Sequence, residues 1–205
     1  LSRHSYELAS ACLASAPTVL QKLDEDDRLP FIAFAVELAQ YSWADSRLYF
    51  ERGSTLIQKV HSPVRERYLI LSAQVARGHN RSAFQYFEEA SASLGELEPD
   101  DHHRVIELAE QLAPYSAYAA MDFVTSVPRV LERIRIDELE PWHNAGLRIL
   151  EASHDGGEAY FRLQSTRGED ILETLSARIE LSKIGEIMRL YCKALTGRNV
   201  SALQY

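Results

Sequence analysis

Ala83-Phe84-Gln85-Tyr86-Phe87-Glu88-Glu89-Ala90-Ser91-Ala92-Ser93-Leu94 is the stretch on which the fold turns. Ala83, Phe87, Ala90 and Leu94 recur at steps of three and four residues, so 82–94 is expected to be a helix with one apolar face. Its Tyr86-Phe87 pair has counterparts along the chain in Tyr49-Phe50, Asp122-Phe123 and Tyr160-Phe161, at a period of about 37 residues. Alanine precedes each pair, as Ala44, Ala83, Ala119-Ala120 and Ala159. An apolar residue stands sixteen residues before the first two phenylalanines and fifteen before the third, as Phe34, Leu71 and Leu108.

Each copy reads as two helices. In the first, Phe31, Phe34, Ala35 and Leu38 share a face, and Ala44, Leu48, Thr55 and Leu56 follow after a break near Ser42. The second pair spans 68–75 and 82–94, joined by Gly78-His79-Asn80, where glycine can end a helix in the left-handed conformation. The third spans 105–112 and 118–134, broken at Pro114; the fourth spans 142–152 and 158–175, broken at Asp155-Gly156-Gly157. Gly53, Pro128 and Gly168 fall inside second helices, which are expected to bend there. A final helix is expected over 182–196, from Ser182 to a stop at Gly197, and 4–23 supplies one or two shorter helices with Pro17 in a first turn.

No alternating strand pattern of useful length occurs. The fold is expected to be all-α, a superhelical array of about four helix-pair repeats of the HEAT or tetratricopeptide kind. The expected boundaries within one domain are 1–28 for an N-terminal cap, 29–62, 63–99, 100–137 and 138–176 for the repeats, and 177–205 for a C-terminal cap. The recurrent rings are expected to form the core between repeats, because one helix pair cannot bury its apolar stripe alone. Trp142 is read as packing.

Composition narrows the function. The 205 residues carry 22 lysines and arginines against 30 aspartates and glutamates, a net charge of −8. That disfavours nucleic acid, whose phosphates need neutralising, and an anionic membrane surface. The acid concentrates in Asp24-Glu25-Asp26-Asp27 and in 96–101, both read as solvated loops between helices. Cys12 and Cys192 are too few for a disulfide framework or a cysteine-rich zinc site. No apolar run approaches the ~20 residues that span a bilayer. The sequence opens on Leu1, as a piece of a longer protein would.

No phosphate-binding loop, dinucleotide fingerprint, nucleophile elbow or zincin motif occurs. Glu140-Pro141-Trp142-His143 and Glu151-Ala152-Ser153-His154 are both Glu-x-x-His, the motif of di-iron bundles. On one helix the two would lie about 16 Å apart along the axis, too far to share a metal pair. His102-His103 follows two aspartates and reads as a helix start, with His103 and Glu107 one turn apart. No catalytic, cofactor-binding or metal-binding residue is assigned, and the chain is expected not to be an enzyme. The alternative is an all-α protein holding a metal or small molecule among His102, His103, His143 or His154.

The last third carries a resemblance. Trp142-His143-Asn144-Ala145-Gly146 leads to Ala159-Tyr160-Phe161-Arg162-Leu163-Gln164-Ser165. Leu175-Ser176 and Leu190-Tyr191-Cys192-Lys193-Ala194-Leu195-Thr196-Gly197-Arg198 follow. This resembles the helical region ahead of the von Willebrand A domain in the NorD/CbbO group of proteins. The resemblance implies an adaptor that partners a MoxR-type AAA+ ATPase and helps it remodel or activate a client enzyme. It also implies a metal site of the Asp-x-Ser-x-Ser kind in the von Willebrand domain; this chain has no such motif, so no catalytic or metal residue carries over. A cytoplasmic, non-catalytic scaffold with no cofactor is the expectation.

Overall fold

The computed structural model describes residues 15–78, 83–132, 134–152 and 154–166. Among them every regular element is a helix and there is no strand. Helical residues 15–20 lead into α1 (Glu25–Tyr41), α2 (Trp43–Ile57), α3 (Arg65–Arg77), α4 (Ala83–Leu94), α5 (Pro99–Leu112), α6 (Ala117–Leu131), α7 (Leu139–Ala152) and α8 (His154–Thr166). Single 3-10 turns at Ser62–Val64 and Ile136–Glu138 precede α3 and α7. The fold is all-α. The chain divides into two compact units, 1–106 and 107–205, with the boundary inside α5.

Local chemistry sets the hairpins. Ser42 ends α1 and caps α2, its hydroxyl accepting the Asp45 N–H at 3.2 Å. Ser116 caps α6 in the same way, accepting the Ala119 N–H at 3.1 Å. In the first unit α1 packs on α2 and α3 on α4, while α1 also packs on α3 and α2 on α4. In the second unit α8 packs on both α6 and α7. Like helices of successive hairpins therefore lie side by side within each unit.

The first core is a run of rings. Phe31 stacks on Tyr49 with centroids 4.2 Å apart, and Tyr49 meets Phe87 edge-on at 5.2 Å. Phe87 stacks on Tyr68 at 5.4 Å and touches Phe34 at 5.4 Å. All five are fully buried. Rings from α1 and α2 thus reach rings from α3 and α4, and burial of each phenylalanine contributes about 2–3 kcal/mol. In the second unit Phe123 stacks on Trp142 at 5.3 Å, and Phe161 stands edge-on to Phe123 at 5.7 Å and to Trp142 at 5.4 Å. Trp142 is packing, as expected.

Several local expectations are corrected. In the first copy the core ring is Tyr49, while Phe50 is only partly buried. Aligning the two serine caps puts Tyr49, not Phe50, level with Phe123; two adjacent rings had hidden a one-residue slip. Gly53 lies inside α2 and Pro128 inside α6, each in the second helix of its pair. A Cβ on Gly53 would stand 2.7 Å from the Tyr49 ring, so this glycine clears space for the ring one turn before it. The helix of the fourth copy starts at His154, so Asp155-Gly156-Gly157 lies inside α8. A Cβ on Gly157 would lie 2.5 Å from Leu150 Cα, and the glycine serves a close crossing of α7 and α8. Gly78 has φ −78°, a right-handed rather than a left-handed helix end. α6 ends at Leu131, short of the expected 134.

Asp24-Glu25-Asp26-Asp27 is not a loop: Asp24 stands at the N-cap position of α1, without a side-chain cap bond, and the other three form its first turn, where carboxylates suit the helix dipole. Asp27 is buried against Arg65 at 2.9 Å, and the guanidinium also meets Asp24 at 2.8 Å. Asp100 and Asp101 likewise stand in the first turn of α5. Gly168, the expected helix over 182–196 with Ser182 and Gly197, and the motif residues beyond 166 lie outside the described residues.

Candidate functional site

The exposed face of α1 is the most unusual surface. Phe31, Phe34, Ala35 and Leu38 turn inward, yet Leu29 is 76 % exposed, Val36 52 % and Ile32 38 %. Leu29 and Val36 lie within about 20° of each other around the helix, with Ile32 beside them, so they form one apolar stripe. Tyr41 is exposed at the end of α1. On α3, Ile70 is 52 % exposed and stands on the same side as Arg77, seven residues on, which bonds Glu37 of α1 at 2.6 Å. Glu25 and Asp26, both exposed, add negative charge one turn before Leu29, and Glu66 does so one turn before Ile70.

A helix of a globular fold commonly carries polar residues opposite its buried face, so an apolar stripe there is unusual. Sequence reasoning left this surface unassigned. Its signal was present: apolar residues nearly all round α1, more than one core can use.

Among the described residues the histidines do not assemble a metal centre. His102, on α5, is 2 % exposed, and its Nδ1 accepts the His61 backbone N–H at 2.9 Å. That acceptor role puts the proton of the neutral ring on Nε2, which is buried and without a hydrogen-bond partner. Neither nitrogen then offers a free lone pair to a metal. Burial lowers the His102 pKa below the ordinary histidine value and His61 adds to this; the Leu97 and Leu94 carbonyls and Asp101 oppose it. His103 is exposed, its Nε2 3.4 Å from the Arg67 guanidinium.

In the second unit His143 is fully buried, with Nε2 2.9 Å from the Leu108 carbonyl oxygen, so that nitrogen donates. His154 is exposed on α8, with Nδ1 3.6 Å from Glu158. Glu158 in turn accepts the Ser116 hydroxyl at 2.7 Å, and Arg162 lies between Glu158 and the buried Asp122. The hydroxyl that caps α6 thus donates to the Glu158 carboxylate, and the network fastens α8 to α6. Among the described residues no group of three or more histidine, cysteine, aspartate or glutamate side chains is arranged to hold a metal ion. Among them, too, no helix is long and apolar enough to cross a membrane.

Comparison with protein-family models, curated proteins and solved structures finds no match to the chain.

Proposed function

We propose that this chain is a non-catalytic protein–protein interaction scaffold, the N-terminal adaptor part of a von Willebrand A domain protein. It works with a MoxR-type AAA+ ATPase to activate or remodel a client enzyme. The observation that carries the reading is the exposed Leu29–Ile32–Val36 stripe on a helix whose opposite face is already buried. Covering what each of these side chains still exposes contributes a fraction of the about 1.5–3 kcal/mol that full burial brings. The acidic residues beside it favour a partner face with an apolar ridge next to basic groups, and speed its docking at low salt. The motifs around Trp142, Tyr160-Phe161 and Leu190–Arg198 supply the class of partner. A cytoplasmic location goes with this reading.

The test is capture of the ATPase by the full-length parent protein. The wild-type parent retains it, and a Leu29→Glu/Val36→Glu variant loses it with unchanged helix content and melting. Exposed positions of this kind shift stability by only about 0.5 kcal/mol. A parent that retains neither ATPase nor client contradicts the reading. Equal capture by the variant removes the stripe from it.

A further inference from the structure

We propose that His102 is a pH-operated clasp: its neutral imidazole ties the connection between α2 and α3 to the start of α5, and a proton on Nδ1 opens the tie. The clasp is independent of any partner, and its geometry is explicit. The His61 N–H points at the one lone pair of the buried ring, over 2.9 Å. Once Nδ1 is protonated, both atoms are donors and the hydrogen bond becomes a repulsion.

The surroundings offer the charged ring little. It is 2 % exposed, so water cannot solvate it where it stands. Among the described residues its Nε2 has no geometric hydrogen-bond partner. From the α2–α3 connection the group facing it is His61, whose ring lies edge-on at 6.4 Å. From the end of α4 and the turn after it come the Leu94 and Leu97 carbonyls, and from its own helix Asp101. Next to it on α5, His103 stands against Arg67 of α3 rather than against a carboxylate. The Leu97 and Leu94 carbonyls and Asp101 favour the charged ring, but the loss of water on burial outweighs them.

The direction follows from linkage. A histidine held neutral by the fold has a folded-state pKa below that of the unfolded chain. The clasp is therefore at full strength above the unfolded value of about 6.5 and weakens as pH falls below it, until the folded-state pKa is passed.

The experiment is amide hydrogen exchange at His61 in the full chain between about pH 7.5 and 5.5, corrected for the intrinsic rate. Protection at the His61 amide is expected to fall about tenfold per pH unit below about 6.5. In His102→Asn the side-chain oxygen stands where Nδ1 stood and accepts the same N–H without titrating, so protection stays flat. A flat wild type, or an equal fall in the variant, overturns the proposal. Should the variant not fold, the ¹⁵N shifts of the wild-type ring decide. A neutral ring protonated on Nε2 supports the clasp, and one protonated on Nδ1 overturns it.

Discussion

The two aromatic cores solve one packing problem in different ways. In the first unit two tyrosines carry hydroxyls into the interior. Tyr68 is satisfied, donating to the Phe87 carbonyl at 2.7 Å and sharing a hydrogen bond with Ser91 at 2.9 Å. Tyr49 is equally buried, and its hydroxyl has no hydrogen-bond partner among the described residues. Burial raises the pKa of both phenols, so neither ionises at ordinary pH. In the second unit the rings are Phe123, Trp142, Tyr160 and Phe161, and glycines make the room. A Cβ on Gly146 would stand 2.1 Å from Phe161 Cζ, and one on Gly157 would meet Leu150. Gly53 clears a ring of its own helix; Gly146 and Gly157 clear a neighbouring helix. The lesson is that a ring core is set by what opposes each ring as much as by the ring.

The largest expected effect is at the shared ring of the first unit. Phe87 touches Phe34, Tyr49, Tyr68 and Phe84, so Phe87→Ala is expected to cost about 3–5 kcal/mol in denaturant unfolding. A loss under about 1 kcal/mol would mean that the ring is not central.

A smaller pair of effects sharpens the contrast between the tyrosines. Tyr68→Phe leaves the Phe87 carbonyl and Ser91 short of a partner and should cost about 1–2 kcal/mol. Tyr49→Phe removes a buried hydroxyl that makes no bond and should be neutral or stabilising by up to about 1 kcal/mol. Equal costs for the two, measured by thermal melting, would erase the distinction.

How much of this was legible in the sequence depends on the residue. The helix class, the break near Ser42 and the burial of Tyr160 and Phe161 followed from spacing, because a period near 3.6 is a local signal, and the packing of Trp142 followed from its size. The phase of the first copy did not, since Tyr49 and Phe50 are both ring residues and only the Ser42 cap separates them. Glycine was misread for a physical reason: Gly157 has the same missing Cβ whether it ends a helix or lets another pass close by, and only Leu150 tells which. Asp27 resembled its exposed neighbours because its partner, Arg65, is distant in sequence. The Leu29 stripe was hidden by Phe31 and Phe34, whose periodicity absorbs the same helix. His102 was legible as part of a helix start but not as an acceptor, because the group it accepts from is a backbone N–H of a residue 41 positions away.

The claim on which the packing account rests is that glycine here is clearance for a ring. A double-mutant cycle of Gly146→Ala with Phe161→Leu, followed by urea unfolding, tests it most directly. Gly146→Ala alone should cost about 3 kcal/mol through overpacking. In the Phe161→Leu background, where no ring tip meets the new methyl group, most of that cost should vanish as a coupling of at least about 1 kcal/mol. Additive costs would show that Gly146 acts on its own helix and not on the Phe161 ring, and would contradict the account.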